Sequence, residues 1–253
     1  MKTHANTILI TGGGSGIGRA LAEALHREGN QVIITRRNLQ RLNAVIQENH
    51  GMQAYALDVT QPADLSETLT QIVSQHPELN VLINNSGIMQ LEDLLAEPVP
   101  LDTAEQTVAT NLLGPIRATA ALLPHLRRQT SATVIMVTSG LAFTPLATTP
   151  TYCATKAALH YYCLSLRQQL KDTSVDVLEL APPYVQTTLM NEQQATDPQA
   201  MPLKEFVEEV MSIMKQEPTP KEVLVQRVLP LRNAEANGNF QQVFESLNTM
   251  HES

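Results

Sequence analysis

A doubly wound α/β sheet is the fold this chain predicts, and three observations carry the prediction. Short β-branched runs alternate with longer helical patterns from the first residues to about residue 180. A glycine-rich turn joins the first run to an amphipathic stripe. The alternation keeps one order, strand then helix then strand, which implies right-handed crossovers and a parallel sheet covered by helices on both faces.

The candidate strands are 7–11, 32–35, 53–57, 81–84, 133–138 and 175–180. Between the first two, Ile17, Ala20, Leu21, Ala24 and Leu25 fall at i, i+3, i+4, i+7 and i+8, one stripe of a helix that Gly29 ends. Two later helices are of another kind. In 112–126 the only charged or titratable side chains are Arg117 and His125, and in 157–166 only His160 interrupts a small and apolar surface. A helix apolar on nearly all sides needs cover on both faces. One face meets the sheet, and the other is expected to meet a second subunit, with a loop of the same chain as the alternative. Past residue 187 the alternation stops. Residues 191–202 are polar and hold Pro198 and Pro202, a surface loop that is either a mobile lid or a connector. The wider stretch around this loop, about 188–216, is expected to border the substrate. Residues 204–216 read as a helix, 223–229 as a last strand and 240–250 as a terminal helix. No internal repeat divides the chain, so one domain over 1–253 is expected.

Composition narrows the partners. With 253 residues, 43% hydrophobic and 17% charged, the chain reads as an ordinary globular protein. A formal charge of -8 argues against nucleic acid, which needs a basic face. Small molecules are the expected ligands, and no metal site is expected. Cys153 and Cys163 would stand about 15 Å apart along one helix, beyond the roughly 7 Å that a disulfide spans. That fits a reducing compartment. The N-terminus lacks the pattern of a signal peptide, and no run reaches the 18 or so apolar residues of a membrane span. A cytoplasmic protein with no membrane partner is therefore expected.

Chemistry enters with the turn Thr11-Gly-Gly-Gly-Ser-Gly-Ile-Gly18. It follows a strand and opens a helix, the context in which bare backbone approaches a pyrophosphate at a positive helix end. The next strand ends in Thr35-Arg36-Arg37-Asn38, where such folds read the adenosine ribose. A free 2′-hydroxyl is matched there by an acid, but no acid stands between Gly29 and Gln47, whereas Arg36, Arg37 and Arg41 are basic. A forked guanidinium suits a 2′-phosphate, so NADP(H) is expected over NAD(H). Asp58 and Asn84-Asn85-Ser86-Gly87 follow the third and fourth strands, on the same ligand-binding edge, although a turn-forming role suits the latter equally well.

Tyr152 and Lys156 share a helix face at i and i+4. Alone the pair is weak evidence; its place after Ser139 and downstream of the glycine turn makes it specific. An ammonium within about 4 to 6 Å is expected to lower the phenol's pKa by about 1 to 3 units. Tyr152 would then give a proton to a carbonyl oxygen or take one from an alcohol, with Ser139 holding that oxygen. Asn111 is the less obvious member. Pro115 lacks the N–H that would bond back to the Asn111 carbonyl, leaving it free to hold a water leading to Lys156. Leu141, Phe143, Tyr184 and Met190 suggest an apolar substrate wall, with ordinary core or lid packing the equal alternative for each.

Together these residues resemble the short-chain dehydrogenase/reductase family. The resemblance rests on Thr11-Gly-x-x-x-Gly-Ile-Gly18, Asp58-Val59, Asn84-Asn-Ser-Gly87, Asn111, Ser139, Tyr152-x-x-x-Lys156 and Pro182-x-x-Val185-x-Thr187. It implies a Rossmann-type three-layer sandwich of about seven strands and an Asn111, Ser139, Tyr152, Lys156 tetrad. It also implies a cofactor held by Gly12, Gly14, Ser15, Gly16, Ile17, Gly18, Arg36, Arg37, Asp58, Val59, Asn85, Ser86 and Gly87. Its nicotinamide would lie near Tyr152, Lys156, Pro182, Val185 and Thr187, with Lys156 on the nicotinamide ribose. The activity implied is hydride transfer between NADP(H) and a carbonyl or secondary alcohol, in a homodimer or homotetramer. The alternative is a non-catalytic NADP(H)-sensing regulator, a class that usually loses the Tyr and Lys pair. Ser86 replaces the usual alanine, and Pro183 replaces the usual glycine and removes a backbone donor.

Overall fold

The computed structural model describes residues 2–249. Met250, expected at the end of the terminal helix, and the side chain of Arg41 lie outside the described residues. In chain order the elements are β1 (Thr7–Thr11), α1 (Gly16–Arg27), β2 (Gln31–Arg36), α2 (Leu39–Glu48), β3 (Gln53–Ala56), α3 (Pro62–Gln75) and β4 (Leu79–Asn84). Then come α4 (Asp102–Val108), α5 (Gly114–Leu126), β5 (Ala132–Val137), α6 (Pro150–Gln169), β6 (Val175–Leu180), α7 (Leu203–Met214), β7 (Glu222–Val223), α8 (Leu229–Arg232) and α9 (Phe240–Thr249). The seven strands form one parallel sheet in the order β3-β2-β1-β4-β5-β6-β7.

Alternation along the strands divides the core into two layers. β1 sends Ile8 and Ile10 to one face and Leu9 to the other. On the first face they join Leu21 and Leu25 of α1 with Phe206, Val210 and Met214 of α7. On the second, Leu9, Ile33 and Leu82 join Leu69 of α3, Leu122 of α5 and Leu166 of α6. The result is the expected three-layer sandwich. Strand order reverses between β1 and β4, and a crevice opens at the carboxyl ends of the strands there.

Three details depart from expectation. α7 is a core helix, so the stretch bordering the site ends before Leu203. The last strand is only Glu222–Val223, followed by a 3-10 turn and α8. Val225 and Val228 are buried as the strand reading required, but Pro230 has no N–H to give a ladder and suits a helix start instead. Between α4 and α5 the helix continues through a π turn, Ala109–Leu113, closed by the Gly114 N–H on the Ala109 carbonyl. Pro115 cannot supply the ordinary bond back to Asn111, and the extra residue accommodates its ring. Among the described residues, no helix is long and apolar enough to cross a membrane.

Candidate active site

A cleft of about 510 Å³ runs along the carboxyl edge of the sheet. Its floor is the glycine turn. Gly12 and Gly16 have φ of 70° and 52°, which a side chain disfavours. Gly18 answers to space: a Cβ there would stand 2.3 Å from Asn85 Nδ2 and 2.5 Å from the Gly12 carbonyl oxygen. Asn85 braces the turn from the β4 side, donating to the carbonyls of Thr11 at 3.1 Å and Gly12 at 3.3 Å. The Thr11 hydroxyl accepts from the backbone N–H groups of Asn85 and Ser86, both at 3.1 Å. Ser15 precedes α1 in extended conformation without a side-chain bond to the helix, so the positive end of α1 stays available to an anion.

α6 carries the reactive pair. It begins at Pro150 with no acid in its first turn; Glu92, from the loop after β4, supplies one. The Glu92 carboxylate accepts from the Thr151 N–H at 3.0 Å and the Thr151 hydroxyl at 2.7 Å, which fixes the helix start beneath Tyr152. Tyr152 and Lys156 are both buried. Lys156 Nζ donates to the Val137 carbonyl at 2.8 Å and lies 5.6 Å from the Tyr152 ring centroid. Ser139, just past β5, accepts from the Leu141 N–H at 3.1 Å.

Burial pushes the Tyr152 phenol up to about 12; a hydrogen bond with Ser139 opposes this and Cys153 adds a further upward push. Burial pushes Lys156 down to about 8. The expected lowering of Tyr152 by its lysine is thereby corrected. Both charged forms lose hydration, and the ammonium is directed at the Val137 carbonyl. Asn111 is fully buried, and its side chain clasps Ile88: Oδ1 accepts from the Ile88 N–H and Nδ2 donates to the Ile88 carbonyl, both at 2.8 Å. A Cβ on Gly87 would lie 3.5 Å from Asn111 Oδ1 and 3.7 Å from Lys156 Nζ, so the two side chains converge there.

The sequence profile of short chain dehydrogenases matches residues 6–198. The chain belongs to the short-chain dehydrogenase/reductase family. The uncharacterized oxidoreductase DltE of Bacillus subtilis (strain 168) is 39% identical over 254 residues, 98% of this chain and 99% of that protein. A solved short chain dehydrogenase from Burkholderia cenocepacia J2315, in complex with NADP, superposes with a TM-score of 0.81 at 21% identity, covering 98% of this chain and 99% of that one. Another, from Burkholderia phymatum in complex with NAD, gives 0.82 at 17% identity, covering 95% and 96%. Structural neighbours thus hold nicotinamide cofactors of both kinds.

Of the expected site residues, Gly12, Ser15, Gly16, Ile17, Gly18, Arg36, Arg37, Asp58, Val59, Asn85, Ser86, Gly87, Ser139, Tyr152, Lys156, Pro182, Val185 and Thr187 line the cleft. Gly14 and Asn111 do not. A side chain on Gly14 would meet Arg36 Cδ and Leu42 Cδ2, both at 3.1 Å, so this glycine makes room for Arg36 instead. Asn111 stands behind Ile88. A second cavity, about 90 Å³, opens beyond Ser139 and Tyr152 and takes in Leu141, Tyr184 and Met190. Phe143, expected with them, packs edge-on to His160 and lies under Arg232, 4.5 Å from its guanidinium carbon. Sequence reading missed Glu92, Gln194, Leu231 and Leu247. Glu92, Leu231 and Leu247 reach the site from distant segments with no local motif, whereas Gln194 falls within the 188–216 stretch expected to border the substrate, where nothing marked its amide among the other polar residues.

Proposed function

We propose that this protein is an NADP(H)-dependent oxidoreductase that moves hydride between nicotinamide and a carbonyl or secondary alcohol. One observation carries the reading: Ser139 and Tyr152 line both the large cleft and the small apolar cavity beside it. A cofactor in the first would meet a substrate in the second at those two groups. The bare glycine turn and the open end of α1 fit a pyrophosphate, and Arg36 and Arg37, on the wall after β2, fit a 2′-phosphate. The bound nicotinamide would supply or accept the hydride.

The residues handle the proton. A phenol held near 12 is fully protonated at neutral pH and ready to donate to the oxygen of a carbonyl as its carbon gains hydride. Ser139 holds the same oxygen and stabilises its developing charge. Lys156, near 8, stands beside the donor, and a water on the Asn111 backbone carbonyl, which Pro115 leaves without its ordinary bond, would return the proton through it. A homodimer or homotetramer in the reducing cytoplasm is part of the reading, supported by two free, buried cysteines and by exposed apolar side chains on α6, Tyr161 and Leu164, and just before α5, Leu113.

The test is a steady-state assay of NADPH and NADH oxidation against a carbonyl panel, with wild type and Tyr152→Phe. Wild type is expected to prefer NADPH. The variant should lose at least about a hundredfold in kcat, with NADPH affinity by fluorescence changed less than about twofold. Undiminished turnover by Tyr152→Phe overturns the proton-donor role, and a preference for NADH overturns the cofactor assignment.

A further inference from the structure

We infer that the substrate is an uncharged aliphatic ketone, aldehyde or secondary alcohol whose smaller substituent enters a hydrocarbon pocket closed by the C-terminal helix. The inference rests on the oxidoreductase reading and names its substrate class. The cavity beyond Ser139 and Tyr152 is walled by Met89, Leu141, Leu146, Met190, Leu231 and Leu247, and among the described residues no Lys, Arg, His, Asp or Glu lines it. Its remaining polar groups are engaged. Gln194 donates to the Val185 carbonyl at 2.9 Å and to Thr187 Oγ1 at 3.2 Å, and accepts from the Met190 N–H at 3.0 Å. The Tyr184 hydroxyl donates to Asp197 at 3.0 Å. A carboxylate or phosphate placed here would lose its hydration and find no cation to replace it, a cost of several kcal/mol or more.

Size restricts the substituent. A cavity of about 150 Å³ accommodates benzene, so a volume of about 90 Å³ takes a short alkyl group in preference to a ring. The wall is a built feature. Asn248 fastens α9 to the loop after Ser139, its Oδ1 accepting from the Ala147 N–H at 2.6 Å and its Nδ2 donating to the Pro145 carbonyl at 3.2 Å. That clasp seats the neighbouring Leu247 in the cavity wall. From α8, Leu231 comes so near Gly140 that a Cβ there would stand 2.9 Å from its Cδ1. The chain after residue 187 therefore shapes the pocket, although the proton chemistry lies before it.

The experiment compares 2-hexanone and 2-oxohexanoate by kcat/KM with NADPH, and hexanone and hexanoate binding by saturation-transfer NMR, in wild type and Leu247→Arg. Wild type is expected to favour hexanone over the keto acid by about a hundredfold or more, and to bind hexanone but not hexanoate. Leu247→Arg should lose at least tenfold on hexanone and narrow the gap to the keto acid, while NADPH affinity is kept. Turnover or binding of the charged compound equal to the neutral one overturns the inference, as does an absence of hexanone binding. Hexanone binding that Leu247→Arg abolishes, with no turnover by any protein, supports the pocket and overturns the oxidoreductase reading alone.

Discussion

Lys156 is an ammonium almost wholly buried in the wall of the cleft, and this makes the stability of the protein depend on pH through one residue. Its ordinary value of 10.5 falls to about 8 in the fold, through burial. Between those values the unfolded chain binds the proton that the folded chain has released, so stability rises with pH across that window and the penalty is complete below it. Tyr152 works in the opposite sense, but only above about 10, where the unfolded phenol ionises first. In urea denaturation of the cofactor-free protein, Lys156→Met should be the more stable variant at pH 7, with its advantage shrinking by about 2 kcal/mol by pH 9.5. A gap that does not change with pH would mean that the lysine keeps its solution value. Both residues were legible in the sequence from spacing and order. The direction of their shifts was not, because the i and i+4 relation specifies nearness and says nothing of the desolvation that dominates.

At the scale of elements, local pattern located most strands within a residue or two. It failed where a tertiary contact decides. The 223–229 run has strand composition, yet of it only Val223 pairs, with Glu222 before it, against Leu180 and Glu179 at the sheet edge. The π turn was legible only as an anomaly at Pro115, and α9 gave no sign that it would wall a pocket. Glu179 is the clearest case. In the run Val-Asp-Val-Leu-Glu-Leu it resembles an outward-facing strand residue, but it is wholly buried between β6 and α6. Its carboxylate accepts from the Thr138 hydroxyl at 2.7 Å and pairs with His160 Nδ1 at 2.8 Å, tying the end of β5 beside Ser139 to the helix that carries Tyr152. Glu179→Ala takes the acceptor from the part-buried His160 Nδ1 and leaves the buried Thr138 hydroxyl only the Leu180 carbonyl at 3.4 Å, each loss costing about 1 to 3 kcal/mol. A loss of about 3 kcal/mol in urea denaturation is expected, with Glu179→Gln losing less than half as much because it keeps one acceptor. Wild-type stability in the alanine variant would show the pair to be dispensable.

For the whole molecule, α6 has two sides with different uses. Tyr152, Lys156, Leu159 and Cys163 face inward, while Tyr161 and Leu164 are 69% and 40% exposed, and Leu113 before α5 is 37% exposed. Large apolar groups grouped on neighbouring helices are the mark of an association surface, and two-fold pairing of such a face is the commonest way to cover it. The proposed oligomer would press on the outside of the helix whose inside positions the proton donor. Light scattering during size exclusion should therefore give wild type the mass of a dimer or tetramer. The double substitution Tyr161→Glu, Leu164→Lys places unmatched charges on the two-fold face and should release monomers. Because those monomers keep every residue that touches the cleft, NADPH affinity should hold while kcat falls several-fold as α6 loses its outer support. A monomeric wild type at micromolar concentration, or a double variant with unchanged mass, would place the contact elsewhere. A monomeric variant with full kcat would show that the intramolecular clasp of Glu92 and Glu179 is enough to hold Tyr152 in place.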